Sequence, residues 1–207
     1  MTAVRRKDYE ETDEAAILSF LDSSPHGVLS FVRADGSPGL TPVNFVRIDR
    51  ELCFHGAIEG EKMASVALNP RVAFLVATDF AIVPSYFRGP ERACVATQHY
   101  RSVVVRGLAR MVETRGEKAR VLQALMEKYQ PEGGYRPITR GDRLYSKQID
   151  TTGVVAISMD EVTAKFKFGQ NLPGRVRARV ARQLAARGAP GDLETVEAMR
   201  GIKPLDG

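Results

Sequence analysis

Three β-like runs crowd into residues 27–55 with almost nothing between them but tight turns. Gly27–Arg33 reads Gly-Val-Leu-Ser-Phe-Val-Arg, and Leu40–Ile48 and Leu52–His55 follow. The links are Asp35-Gly36 with Ser37-Pro38-Gly39, and then Asp49-Arg50. Such turn chemistry joins antiparallel neighbours, whereas a parallel crossover needs a dozen residues or more. A meander is therefore expected, and a doubly wound parallel sheet is excluded.

Further along, Val72–Ala77 is an apolar fourth strand, and Arg101–Val112 is the longest β-like stretch. Gly107 marks a bulge or bend in that stretch. Val154–Ser158 is another short strand, which Val162–Phe168 continues. Helical spacing is confined to a few places. Ile17, Leu18 and Leu21 follow a cap at Thr12, and Met63, Val66 and Ala67 share one side of Glu61–Leu68. Val121, Leu122, Leu125 and Met126 stripe Glu117–Tyr129. Residues 78–97, with Pro84, Gly89 and Pro90, read as an irregular connector or lid, and Pro131–Arg143 as a loop. The expectation is mainly β with helices (α+β): a six-stranded antiparallel split β-barrel with flanking helices.

The organisation expected is a flexible N-terminus (1–11), a barrel domain (12–170) and a basic helical extension packing on the barrel (171–207). In that extension Arg175, Arg177, Arg179, Arg182 and Arg187 interleave with Val176, Val180 and Leu184, which share one helix face. The whole chain has 207 residues, 30 basic against 25 acidic, for a net charge of +5. So mild an excess suits an anionic ligand as well as a nucleic acid. No window has the apolar length of a membrane helix, and the start carries no secretory pattern. Cys53 and Cys94 make no disulfide framework or zinc spacing, so reduced thiols in a cytoplasm are expected, with no metal site.

One stretch suggests a phosphate site. In Phe54-His55-Gly56-Ala57-Ile58-Glu59-Gly60-Glu61-Lys62-Met63 a strand gives way to a loop bounded by glycines, and a helix opens at a lysine. Free N–H groups and a partial positive charge gather at a helix start, glycine allows close approach, and the ammonium adds a full charge. The spacing is not that of a P-loop, because the glycines stand at 56 and 60 and Met63 follows the lysine. An ordinary strand–turn–helix corner with a solvated Lys62 reads equally well from these residues alone. Glu61, beside the lysine, would repel an anion unless it faces elsewhere. A second stretch, Gln98–Gly107, sets Arg101 and Ser102 at the start of an apolar strand, on opposite faces. A third, Thr41–Phe45, has Pro42 removing a ladder donor at an edge, where freed backbone groups can read a planar heterocycle.

Four motifs in order carry a resemblance: Thr41-Pro42-Val43-Asn44-Phe45-Val46, Phe54-His55-Gly56-Ala57-x-x-Gly60-x-Lys62, Asn69-Pro70-x-Val72-x-Phe74, and Tyr100-Arg101-Ser102-Val103-Val104-Val105-x-Gly107-x-Ala109. Together they resemble the pyridoxamine 5'-phosphate oxidase-related FMN-binding proteins, and among these the nitroimidazole-resistance-type flavoproteins, over residues 12–168. The resemblance implies a homodimeric split barrel with FMN at the subunit interface. It implies that Pro42, Val43 and Asn44 line the isoalloxazine ring, that His55, Gly56 and Gly60 lie by the ribityl and phosphate, and that Lys62, Ser102 and Arg101 bind the phosphate side. The implied activity is that of an FMN-dependent oxidoreductase acting on a small molecule with NAD(P)H as donor, with no assigned catalytic side chain.

The departures are specific. Glu61-Lys62 stands where many relatives have Arg-Lys, leaving Arg101 to replace a lost charge. The Arg-x-His substrate motif of the oxidase is absent. The stretch Lys165-Phe166-Lys167-Phe168-Gly169-Gln170-Asn171 resembles the Lys-x-x-Gln-Asn segment of FMN-binding negative transcriptional regulators, which implies that Lys165, Lys167 and Gln170 face a substrate or flavin from the partner subunit. Two alternatives therefore stand beside the oxidoreductase: a flavin-binding regulator whose arginine-rich tail meets nucleic acid, and a split barrel holding haem or a deazaflavin.

Overall fold

A computed structural model describes residues 4–89 and 92–202. Residues 1–3 of the expected N-terminal segment, 90–91 of the expected connector and 203–207 of the expected extension lie outside the described residues.

The sequence of elements begins with a 3-10 turn at Lys7–Tyr9 and β1 (Glu10–Glu11), which pairs with Lys165 and Ala164. Then come α1 (Glu14–Ser23), β2 (Gly27–Val32), β3 (Pro38–Val43), β4 (Val46–Ile48), β5 (Glu51–Ala57), α2 (Glu61–Leu68) and β6 (Arg71–Val83). After α3 (Ser85–Arg88) and a 3-10 turn at Ala93–Val95 follow β7 (Thr97–Met111), α4 (Arg115–Tyr129), α5 (Ser146–Thr151), β8 (Thr152–Ser158), β9 (Glu161–Lys167), α6 (Gly174–Arg187) and α7 (Asp192–Arg200). Asp13, rather than Thr12, caps α1: its Oδ1 accepts from the Ala15 N–H at 2.9 Å.

Among the described residues there are nine strands, where six were expected, in the order β3-β2-β6-β7-β8-β5-β4, with β9 pairing β7 and β1. The excess has local causes. The run read as Leu40–Ile48 breaks at Asn44-Phe45 into two strands, and the stretch read as a single end strand is the pair β8 and β9. β1 has too few residues to show any alternation. Part of the expected connector is itself strand, because β6 runs to Val83 and β7 starts at Thr97.

The described residues form two compact units. One comprises Leu18–Val76 and Val104–Val162. Its β3 and β4 end the strand order on opposite sides, yet only Asn44 and Phe45 join them. Three Cα steps span at most about 11 Å. The sheet must therefore curl until its edges nearly meet, while the two strands stay unpaired: this is an open, split barrel. Its core holds Val46, Cys53, Val112, Val121, Leu125, Val154 and Ala156, with Leu122 packed against them, so α4 buries Val121 and Leu125 of its expected stripe, while Met126 is half-buried and outside this cluster. Phe45 and Phe74, both fully buried, meet edge to face at 5.0 Å. Burying such a ring contributes about 1.5–3 kcal/mol.

The other unit comprises the described residues within 1–17, 77–103 and 163–207. There α6 buries Val180 and Leu184, α7 buries Val196 and Met199, and Thr195 Oγ1 accepts from the Ala81 N–H at 3.0 Å. Of the five tail arginines only Arg177 is buried, while Arg175, Arg179, Arg182 and Arg187 are exposed. Arg187 bonds Asp192 at 2.5 and 2.8 Å, Arg179 donates to the Arg88 carbonyl, and Arg177 is 8% exposed. Among the described residues no helix is long and apolar enough to cross a membrane.

Candidate functional site

The corner between β5 and α2 is built as its sequence suggests, with one shift. Strand β5 runs on to Ala57, so His55 and Gly56 are strand residues, paired with Val154 and Gly153. Gly60 then turns the chain with φ 142° and ψ 160°, a conformation open to glycine and strained for other residues. It brings no side chain to cap α2, so the first helical N–H groups are not claimed by one.

Lys62 lies over the Phe54 ring at 5.9 Å, half-buried. Its aliphatic stem depends on Gly56: a Cβ there would stand 2.9 Å from Lys62 Cε and 3.1 Å from Nζ. The absent methyl is thus the space in which the lysine rests. Beside it opens a cleft of about 330 Å³ lined by Phe31, Leu40, Thr41, Ala57 and residues 59–63. A singly charged anchor, uncapped helical N–H groups and a glycine-cleared wall suit a phosphate. His55 is exposed at its tip, but partial burial first, and the Lys62 ammonium second, hold its imidazole below the usual range, which favours the neutral ring.

Glu61 borders this cleft and also a neighbouring one lined by Arg33 and Asp35. Arg33 answers its charge, with Nε 2.8 Å from Glu61 Oε1 and Nη1 donating to the Pro38 carbonyl at 2.7 Å. Sequence reasoning missed Arg33, since it stands 28 positions earlier and no local pattern marks the pairing.

Pro42, Val43 and Asn44 lie at the end of β3, which among the described residues pairs with β2 alone and so leaves a free ladder edge. Pro42 is paired with Val28 and exposed, Val43 is buried opposite Gly27, and Asn44 is exposed at the break before β4. Tyr129 fixes that break. Its hydroxyl accepts from the Phe45 N–H at 2.9 Å and lies 2.6 Å from the Pro25 carbonyl, while Lys128 Nζ sits 4.0 Å from the Phe45 ring centre. Burial lowers that ammonium's pKa to about 8. Neither residue was singled out for this role beforehand; the signal available was an aromatic hydroxyl ending an amphipathic helix.

These seven predicted residues belong to one unit, and Arg101 and Ser102 to the other. Ser102 is half-buried on the face of β7 opposite Val103. The Arg101 guanidinium lies over Phe80, Phe166 and Phe168 at 5.1–5.4 Å, its Nε is buried with no hydrogen-bond partner among the described residues, and burial lowers its pKa. Nearby, in the turn after β9, Gln170 spends its amide on the backbone, accepting from the Phe168 N–H at 2.8 Å and donating to the Phe166 carbonyl at 2.6 Å. Lys165 and Lys167 lie over the Tyr9 and Tyr100 rings. Cys53 is buried, which pushes its thiol up to about 12, and Cys94 is exposed.

The sequence pattern of the pyridoxamine 5'-phosphate oxidase family matches residues 13–166. No match was found among curated proteins. Solved structures share the fold. A flavocytochrome, Anf3 from Azotobacter vinelandii, is 21% identical with TM-score 0.68, over 81% of this chain and 73% of its own. An FAD and heme binding protein from Mycobacterium smegmatis is 22% identical with TM-score 0.64, over 88% and 82%. A candidate 5-nitroimidazole antibiotic resistance protein from Bacteroides thetaiotaomicron is 20% identical with TM-score 0.61, over 75% and 85%.

Proposed function

We propose, from the premise that this chain belongs to the pyridoxamine 5'-phosphate oxidase family, that it binds the FMN moiety of a flavin and acts as a flavin-dependent oxidoreductase on a small molecule. The observation that carries this reading is the β5–α2 corner, where Gly56 clears the place in which Lys62 flanks an open cleft. Flavin binding named for the Azotobacter and Mycobacterium proteins of the same fold supports it. A bound flavin supplies the redox chemistry, electron or hydride transfer between a nicotinamide donor and an oxidised acceptor. The chain's own residues hold and shield it: Lys62 pairs with the phosphate, His55, Gly56 and Gly60 shape the wall beside it, and the free edge at Pro42–Asn44 meets the ring. Ser102 and Arg101 are assigned to the phosphate side, and a homodimer with the flavin at its interface completes the site.

Replacing Lys62 with alanine removes a charged hydrogen bond worth about 1.5–3 kcal/mol. The Lys62→Ala variant is expected to bind FMN more than tenfold more weakly in a fluorescence titration; unchanged affinity would refute the placement. The visible spectrum of the isolated protein, with NADH or NADPH then added without oxygen, tests the redox role.

A further inference from the structure

One face of β9 gathers cations that no carboxylate answers. Alternation buries Ala164 and Phe166 and leaves Lys165 and Lys167 together on the half-buried face, about 7 Å apart along the strand. Both ammoniums lie over the same two rings. Lys165 Nζ is 5.9 Å from the Tyr9 ring centre and 5.2 Å from that of Tyr100, and Lys167 Nζ is 5.8 Å from each. The Lys167 ammonium also donates to Thr97 Oγ1. Glu10 stands opposite Lys165 in the β1–β9 ladder, but its carboxylate is held by Lys7 at 2.6 Å. Arg6 is answered by Asp8 at 3.3 Å, whereas Arg88 donates to a neutral group, the Val95 carbonyl. Among the described residues Arg88, Lys165 and Lys167 therefore have no carboxylate within ion-pair distance. Burial first, then Lys165, Arg6 and Arg88, hold the Lys167 ammonium below its usual range, and no acidic group pulls it back.

The neighbouring titratable groups do not cancel this charge. Arg101 lies on the opposite face of β7 from Tyr100, over three phenylalanine rings, and adds to the positive field behind the site. His99, with its pKa lowered to about 4, carries no charge at pH 7. Gln170 is spent on the backbone, so the two lysines act without it. Like charges gathered on a half-buried face oppose folding, and a bound anion offsets that repulsion. Lysine meets phosphoryl groups as a point charge, and three unanswered cations call for a ligand with at least two negative charges. We propose that Lys165 and Lys167, with Arg88 in range of them, bind the phosphoryl or pyrophosphoryl group of a small molecule, in addition to the flavin phosphate assigned to Lys62.

A calorimetric titration with inorganic pyrophosphate at low ionic strength tests it, with acetate as a singly charged comparison and NADPH as a dinucleotide carrying the same group. Pyrophosphate is expected to bind and acetate to bind far more weakly. The chain has six tyrosines and no tryptophan, so pyrophosphate is also expected to change the tyrosine emission. Lys165→Gln and Lys167→Gln each remove a charged hydrogen bond, and each is expected to weaken pyrophosphate about tenfold or more. Lys165→Arg, which keeps the charge, and Lys147→Gln, at an exposed position of α5, are expected to bind as the parent does. NADPH tighter than pyrophosphate, and weakened by the same two substitutions, identifies a dinucleotide; pyrophosphate the tighter identifies a smaller phosphorylated compound. Pyrophosphate binding that is absent, that survives both glutamine substitutions unchanged, or that saturation with FMN abolishes would overturn the proposal. In the last case the lysines belong to the flavin site, and the flavin reading stands.

Discussion

Gly56 and Gly107 both interrupt long strands, yet a methyl group would meet different obstacles at each. At Gly56 it meets the flexible end of Lys62, which can swing aside. At Gly107 it would stand 1.8 Å from the Ser158 carbonyl oxygen, a backbone atom with nowhere to go. The glycine expected to mark a bulge or bend also allows a close approach between two stretches of the one chain, within a strand that continues to Met111. Gly107→Ala is expected to cost about 2–3 kcal/mol in urea unfolding; near-native stability would contradict that contact. His99 offers a second case. It is 1% exposed, its Nδ1 has no hydrogen-bond partner among the described residues, and it meets the Phe168 ring edge to face at 5.9 Å. Burial first, then Lys167 and Arg88, lower its pKa from 6.5 to about 4. Between those values the unfolded chain takes up a proton that the folded chain refuses. Stability from this group is complete above pH 6.5 and is lost as pH falls toward 4, by about 3 kcal/mol in all. His99→Gln, which cannot titrate, is expected to flatten unfolding free energy against pH in that window; parallel slopes would refute it.

Among the elements, the break between β3 and β4 matters most for the site, because it ends the free edge at Pro42–Asn44. Tyr129 holds it from the end of α4 through the Phe45 N–H and the Pro25 carbonyl. Tyr129→Phe leaves those groups short of a partner, which costs about 1–3 kcal/mol. Lower stability in urea is expected, together with weaker flavin binding; a variant matching the parent in both would remove Tyr129 from the site's support. Helix α4 was legible because Val121, Leu122 and Leu125 recur at helical spacing, though its first turn was not: the helix starts at Arg115, after a cap at Thr114 whose side chain accepts from the Glu117 N–H. Helix α5 was not, since in Ser146–Thr151 only Ile149 is buried and one apolar residue makes no period. Strand β4 was hidden for the opposite reason: Val46–Ile48 looks like a continuation of β3, and nothing local shows that the ladder changes partner.

For the whole molecule, ligand binding and folding are linked. Flavin at a hundred times its dissociation constant contributes about 2.7 kcal/mol to the folded state. At this chain length that raises the melting temperature by about 5–10 °C. FMN or FAD is expected to give such a shift with the parent protein and a smaller one with Lys62→Ala at equal concentration; no shift with any flavin would count against the site. What is local could be read from the residues alone: turns that force an antiparallel meander, the glycines and lysine of the β5–α2 corner, the apolar stripe of α4, and an order of motifs that marks the family. These follow from backbone sterics and side-chain periodicity within a few residues. Only the tertiary structure decided which distant groups meet: Arg33 on Glu61, Tyr129 on the β3–β4 break, three aromatic rings under Arg101, and two sheet edges brought together without pairing. Such contacts come from closing long loops around a shared core, and no short window of sequence specifies which partner lies on the far side.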